Sequence, residues 1–387
     1  MIPRRFLGAL IVAMVTLSTP AAAKQNYSPA KVIEAMKANN HNLRIIVEHR
    51  GNFSQDCPEN SICAINATGN AGIEAVEIDV RESADGTLWP IHDTRVGRTT
   101  NFAANGHLFD PYVRSDRNTQ SNPEISKLRD ATLEKLRLRD PLGNVSRYSF
   151  QRLENMMRDV DIGNRNLVYM FDIKTSSAIG KTASMIRRMG LQDRSILKFN
   201  STLVSPRNLL AETQGLHFVP VMGTGSLDQI ADHFHLERSS PSERVNAYVH
   251  DLSRTRGFVY FEVRNKMFSG PTSNNDFDTK VEGPLNQVNF YMRLTGITQG
   301  GFRPSPEHFS TPNQPGSGYY FVDGQCCQQL AQHHDTSRHF GTDTRDDREN
   351  LHYMISYNAV IISEKESQAL AKARAMGARK EQHRLLY

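Results

Sequence analysis

The chain has 387 residues, 38% of them hydrophobic and 22% charged, with 46 Lys and Arg against 41 Asp and Glu. The net charge of +5 is too mild to point to nucleic acid, and no RNA- or DNA-binding motif supports such a partner. After the N-terminal apolar run, no segment approaches the ~20 apolar residues that span a bilayer.

Residues 1–23 read as a secretory signal peptide. Arg4 and Arg5 form the charged start, residues 6–17 the apolar run, and residues 18–23 a small-residue stretch with an A-x-A cleavage site. Cleavage would leave a mature chain of 364 residues from Lys24 with a net charge of +3, exported to the periplasm or secreted. The absence of a cysteine after the apolar run argues against a lipoprotein.

Apolar, β-branched strand patterns then alternate with helical ones. Residues 43–47 read as a strand, 61–71 as a helix stopped by Gly72, and 75–80 as a second strand. Asp85-Gly86 marks a turn, and 87–92 reads as a third short strand. Residues 167–174 give the clearest strand, followed by a helix at 178–189. Strands at 195–199 and 217–222 flank a helix at 201–213. The seventh strand lies at 257–263 or 319–322, the eighth at 358–362, and a last helix at 364–376 stops at Gly377. About eight strands alternating with helices over more than 300 residues predict an α/β fold, a (β/α)8 TIM barrel. Residues 24–387 then form one barrel domain with insertions at about 95–150, after the third strand, and 264–350, in the C-terminal third. No G-x-G-x-x-G follows an early strand, which removes the main open-sheet signature.

Of the four cysteines, Cys57 and Cys63 lie close together just downstream of His49-Arg50-Gly51, and are the candidate loop-closing disulfide of an exported chain. Cys326-Cys327 beside His333, His334 and His339 matches no zinc-finger spacing.

The polar residues on these strands form the candidate site. His49 and Arg50 follow the first strand, and His92 ends the third. Glu77 and Asp79 stand at i and i+2 on the second, as do Asp172 and Lys174 on the fourth, so each pair shares a face. In a barrel the C-terminal strand ends make one rim, where the chemistry sits. Each residue taken singly has an ordinary structural explanation. Together they resist it, because a strand of Val, Tyr, Met, Phe and Ile does not bury Asp172 and Lys174 without partners. Three convergent carboxylates without Cys describe a site for a hard divalent cation, Mg²⁺ or Ca²⁺. Arg50 and Lys174 suit an anion rich in oxygen, such as phosphate, and the two His suit acid–base work. The combination predicts phosphoryl chemistry.

His49-Arg50-Gly51, Pro58-Glu59-Asn60-Ser61, Glu77-x-Asp79-Val80, Asp85-Gly86, His92-Asp93 and Arg98-Thr99-Thr100 together resemble, in order and spacing, the glycerophosphodiester phosphodiesterase family signature. Asp172-Ile173-Lys174 resembles its E-x-K, and residues 358–364 its last strand; the second half of the chain resembles the family weakly. The resemblance implies that His49 and His92 are the acid–base pair. It implies that Glu77, Asp79 and Asp172 bind the cation, and that Arg50 and Lys174 hold the phosphate. Glu59 and Asn60 would be rim residues that order Arg50 or touch substrate, with capping of the helix at 61–71 as their structural alternative. The family route uses the substrate's own neighbouring hydroxyl, through a cyclic phosphate. Two departures stand out. Asp172 replaces the family's Glu, as in the related sphingomyelinase D-type phospholipases, which however lack P-E-N. The late-strand Trp is missing, since Trp89 is the only Trp. The expected function is an exported, metal-dependent phosphoric diester hydrolase that makes sn-glycerol 3-phosphate and an alcohol from small glycerophosphodiesters. The alternatives are a phospholipase D-like enzyme acting on lysophospholipids or sphingomyelin, and a catalytically silent barrel serving as a binding module.

Overall fold

A computed structural model describes residues 27–40, 42–109, 121–164, 166–234, 239–264, 285–304, 308–311, 314–322, 325–328, 335–342, 348, 350–363 and 372–377. The expected signal peptide, His333, His334 and the side chains of Cys326 and Cys327 lie outside them, as does most of the helix expected at 364–376.

Eight parallel strands close into a barrel: β1 (Ile45–Glu48), β2 (Ala75–Glu82), β3 (Val168–Ile173), β4 (Ser195–Asn200), β5 (His217–Met222), β6 (Phe261–Val263), β7 (Gln299–Phe302) and β8 (Val360–Ser363). They pair in chain order, and β8 returns to β1 in the register Ile45 opposite Val360. The helices that pack around them are α2 (Ile62–Asn70), α3 (Leu153–Gly163), α4 (Ser176–Arg188), α5 (Pro206–Thr213), α6 (Thr224–His233), α7 (Pro241–Ser253), α8 (Asn286–Thr295) and α9 (Leu351–Tyr357). A further helix, α1 (Pro29–Lys37), precedes β1. Its Val32, Ile33 and Met36 join the apolar end of the barrel interior.

The strand period of two separates two cores. Val76, Ile78 and Val80 of β2, Tyr169, Phe171 and Ile173 of β3, and Leu197 and Phe199 of β4 face outward onto the helices. The alternate residues face inward. Ala75, Val168, Met170, Ile196 and Val219 fill the lower interior. One step higher on the same inward faces stand Glu77, Asp79, Lys198 and Glu262, all buried, and the half-buried Asp172. The barrel thus changes from apolar filling to charge within one residue step, at the mouth.

The strand assignment differs from the expectation in two places. Residues 87–92 are not a barrel strand. Only Leu88–Trp89 is extended, and it pairs antiparallel with the end of β2, Arg81 opposite Trp89. The first insertion therefore joins the second and third barrel strands, rather than the third and fourth. Its own core gathers Trp89, Ile91, Val96, Ile125, Leu133, Leu136, Leu138 and Phe150. Residues 257–263 hold the sixth strand, and the seventh, β7, lies inside the stretch read as the second insertion. Residues 319–322 belong to Gln314–Val322, in a separate antiparallel sheet. The sequence Gln-Gly-Gly-Phe of β7 carries no β-branched residue, for a steric reason. A Cβ on Gly300 would lie 2.3 Å from the Tyr260 ring, and one on Gly301 would lie 2.6 Å from Met354.

Candidate active site

The loop after β1 turns by left-handed backbone. Arg50 has φ +59° and Gly51 φ +79°. A Cβ on Gly51 would meet the Ala64 backbone at 2.8 Å, so glycine is required where the loop passes under α2. The stretch at 58–60 is pinned back onto this turn. The Asn60 N–H donates to the Arg50 carbonyl at 2.9 Å. Cys57 and Cys63 form the expected disulfide, Cα to Cα 5.6 Å, which brackets the same stretch. Helix α2 is capped by Ser61, whose hydroxyl accepts from the Ala64 N–H. That leaves the Glu59 and Asn60 side chains for other work, which answers the capping alternative. The Asn60 amide donates to Asp79 Oδ2 at 2.9 Å, and its carbonyl accepts the Asp79 N–H at 2.9 Å. Asn60 therefore fixes both the backbone and the carboxylate of Asp79.

Side chains of alternating charge run without a break between the two histidines. His92 Nδ1 lies 3.0 Å from Asp93, whose carboxylate accepts from Arg98 at 2.7 Å. Arg98 donates to Glu59 at 2.7 Å, and Glu59 lies 3.3 Å from Arg50. Arg50 reaches Asp79 at 3.3 Å, and Lys174 bridges Asp79 and Asp172, each at 2.7 Å. Lys198 is 3.5 Å from Asp172 and 2.5 Å from Glu77, and Glu77 Oε2 stands 3.4 Å from His49 Nε2. Strand register explains the middle of this line. Asp79, Asp172 and Lys198 are direct cross-strand partners on β2, β3 and β4.

Eight of the nine expected polar site residues lie on this line, and the ninth, Asn60, is hydrogen-bonded to it at Asp79. His92 reaches it from a bend beyond Leu88–Trp89 rather than from a barrel strand end, with its ring about a third exposed. Three further members, Asp93, Arg98 and Lys198, carry no role in the sequence reading, and neither does Glu262, which branches off the line 2.7 Å from Lys198. The signal for Lys198 was available, since a lone Lys in Ser195-Ile196-Leu197-Lys198-Phe199 breaks the same rule that picked out Asp172.

Burial pushes the Glu77 carboxyl up to about 7, against the pull of Lys198 and His49. Burial also acts on Asp79 and Asp172. There Lys174 leads the opposing charges, with His92, Arg50 and His49 beside Asp79 and Lys198 beside Asp172, and both stay below the usual carboxylate range. Glu59 is half-buried, yet Arg98 and Arg50 hold it down to about 2. Burial, with Arg50 nearby, lowers His92 to about 4. Because the unfolded state binds the His92 proton near 6.5, it takes up more protons than the folded state between pH 6.5 and 4, and stability falls on acidification through that window. Between pH 7 and 5, in chelator, the wild type is expected to lose about 1 kcal/mol more than His92→Asn, allowing for the partial exposure of the ring. Equal losses in urea titrations would exclude the assignment.

Among the described residues no three carboxylates and imidazoles converge as an open metal centre, because Lys174 and Lys198 stand between them. The donor set nonetheless suits a hard cation. It is all oxygen, and Glu77 Oε2 is buried without a hydrogen-bond partner.

The fold and the mouth define a class: a TIM barrel whose C-terminal strand ends carry a line of paired charges with an imidazole at each end. The model of the glycerophosphoryl diester phosphodiesterase family matches residues 49–219. A glycerophosphodiester phosphodiesterase of Caldanaerobacter subterraneus subsp. tengcongensis is 42% identical over 57 residues, 15% of this chain and 23% of that protein. Glycerophosphodiester phosphodiesterase 1 of Homo sapiens is 29% identical over 138 residues, 33% of each. The matched segments thus span a third or less of these relatives' own length. The crystal structure of a glycerophosphoryl diester phosphodiesterase from Parabacteroides distasonis superposes with a TM-score of 0.55 at 17% identity, covering 92% of this chain and 94% of that one. This last likeness speaks for the barrel fold.

Proposed function

We propose that the protein is an exported, divalent-cation-dependent glycerophosphodiester phosphodiesterase that releases sn-glycerol 3-phosphate and an alcohol. The observation that carries this reading is that the family segment, residues 49–219, contains every link of the line joining His49 to His92. Asp93 engages His92 Nδ1 and leaves Nε2 for the substrate. His92, low enough to be neutral at pH 7, accepts the proton of the substrate's neighbouring hydroxyl as that oxygen bonds to phosphorus. His49 gives a proton to the departing alcohol oxygen as its bond to phosphorus breaks. Water then opens the cyclic phosphate with the two roles reversed. Arg50 and Lys174 face the phosphate oxygens as fixed cations. Glu77, Asp79 and Asp172 would hold Mg²⁺ or Ca²⁺, which when bound polarises a phosphoryl oxygen.

Asp172 supports a second reading, a phospholipase D-like activity on lysolipids or sphingomyelin. Purified protein assayed on glycerophosphocholine, glycerophosphoethanolamine, lysophosphatidylcholine and sphingomyelin, with Mg²⁺, Ca²⁺ or chelator, separates the two. Turnover of the water-soluble diesters, lost in chelator, is expected. Turnover of the lipids alone would favour the second reading, and turnover of nothing would favour a binding module. N-terminal sequencing of exported protein is expected to start near Lys24.

A further inference from the structure

Lys198 and Glu262 lie deeper in the barrel than the groups assigned to substrate. Lys198 is 4% exposed and Glu262 2%, and they meet at 2.7 Å across β5. Through the same ammonium group, Lys198 also touches Glu77 at 2.5 Å and stands 3.5 Å from Asp172. Saturated by three carboxylates below the mouth, Lys198 is poorly placed to meet a phosphate. Its charge instead lies among the carboxylates assigned to the cation. Glu262, on the far side, draws the ammonium away from them.

We propose, on the basis of the metal-dependent reading above, that Lys198 is a tethered internal competitor for the divalent cation, and that Glu262 sets how strongly it competes. A cation held by Glu77 and Asp172 meets a fixed positive charge within contact distance of both. At that range in a poorly screened interior, the repulsion is worth more than a tenfold change in affinity. The two members of the ion pair therefore act with opposite sign. Without Lys198 the carboxylates gain net negative charge toward the metal. Without Glu262 the ammonium group belongs wholly to Glu77 and Asp172.

The test is titration calorimetry of the full-length protein with Mg²⁺ alone and Ca²⁺ alone. Lys198→Met is expected to tighten binding by about tenfold or more, and Glu262→Gln to weaken it by a similar factor. Removing one partner of a buried pair strains folding, so the double variant K198M/E262Q serves as a second arm, because loss of both charges together is better tolerated. It is expected to recover what Glu262→Gln loses. Both single variants weakening binding, as a merely structural pair would give, overturns the proposal. So does a double variant no better than Glu262→Gln. Wild type and K198M both failing to bind overturns the metal reading and the proposal together. Wild type failing while K198M binds supports the proposal. Binding by wild type with no shift in the variants overturns the proposal alone.

Discussion

His49→Ala and His92→Ala are each expected to lower turnover of glycerophosphocholine by about 10²–10⁴-fold, the usual worth of a positioned proton-transfer group. The two histidines sit at opposite ends of one charge line, so neither substitutes for the other. His49 packs on the Phe302 ring at 4.8 Å and faces Glu77, and His92 is aimed by Asp93. If they act as one acid–base unit, the double variant should be little worse than either single one, since the second proton transfer is idle once the first has failed. Steady-state kinetics on the three variants would decide. A single variant within threefold of wild type, or fully multiplicative losses, would remove the two-histidine assignment.

Arg98→Met is expected to cost about 3–5 kcal/mol of stability, the range for breaking a buried ion pair from one side. Arg98 grips two carboxylates at once. It donates to Asp93 at 2.7 and 3.0 Å and to Glu59 at 2.7 and 3.1 Å. Removing it leaves Glu59 with Arg50 alone, and Asp93 with His92, where two buried negative charges had been matched. Arg98→Lys should recover little, because a single ammonium cannot present the paired donors that both carboxylates use. The acid limb carries the same signature. Glu59 is held down to about 2, so its share of stability is present above the unfolded value near 4.3 and is lost as pH falls toward 2. Arg98→Met should flatten that limb in urea titrations at pH 7, 4 and 3. Unchanged midpoints at pH 7 would show that Arg98 is dispensable to the scaffold.

The barrel and the charged face of β2 and β3 were legible because period two leaves a plain mark. Glu77/Asp79 and Asp172/Lys174 interrupt apolar runs at positions that point the same way. Asp93 and Arg98 stand inside the family-like motifs without a role, because the meaning of Arg98 is its contact with Glu59, which is distant in sequence, and Asp93 joins the line only through Arg98 and His92. Lys198 and Glu262 each break a strand only once, so neither forms a pattern until β4 and β6 are set around one interior. Strand β7 was hidden for the opposite reason. Its glycines make room for Tyr260 and Met354, and a strand selected for having no side chain offers no periodicity to read. Residues 87–92 misled because their alternation serves the insertion core around Trp89, rather than the barrel.

The β1–β8 seam joins the first barrel strand to the last, Ile45 beside Val360. Both imidazoles and all but one of the charges described above belong to the first four strands and their loops, so they are synthesised long before the seam can form. Their mutual contacts are at most 121 positions apart in sequence, whereas ring closure pairs Ile45 with Val360, more than 300 positions away. Folding speed falls with such non-local pairing. The half-barrel bearing the charge line is therefore expected to assemble first and to stand open to water until β8 docks, which pulsed hydrogen exchange would check: protection of β2 to β4 should precede that of β1 and β8, and simultaneous protection would overturn it. On that order, sealing the charges away from solvent becomes a late event in folding, set by the arrival of β8.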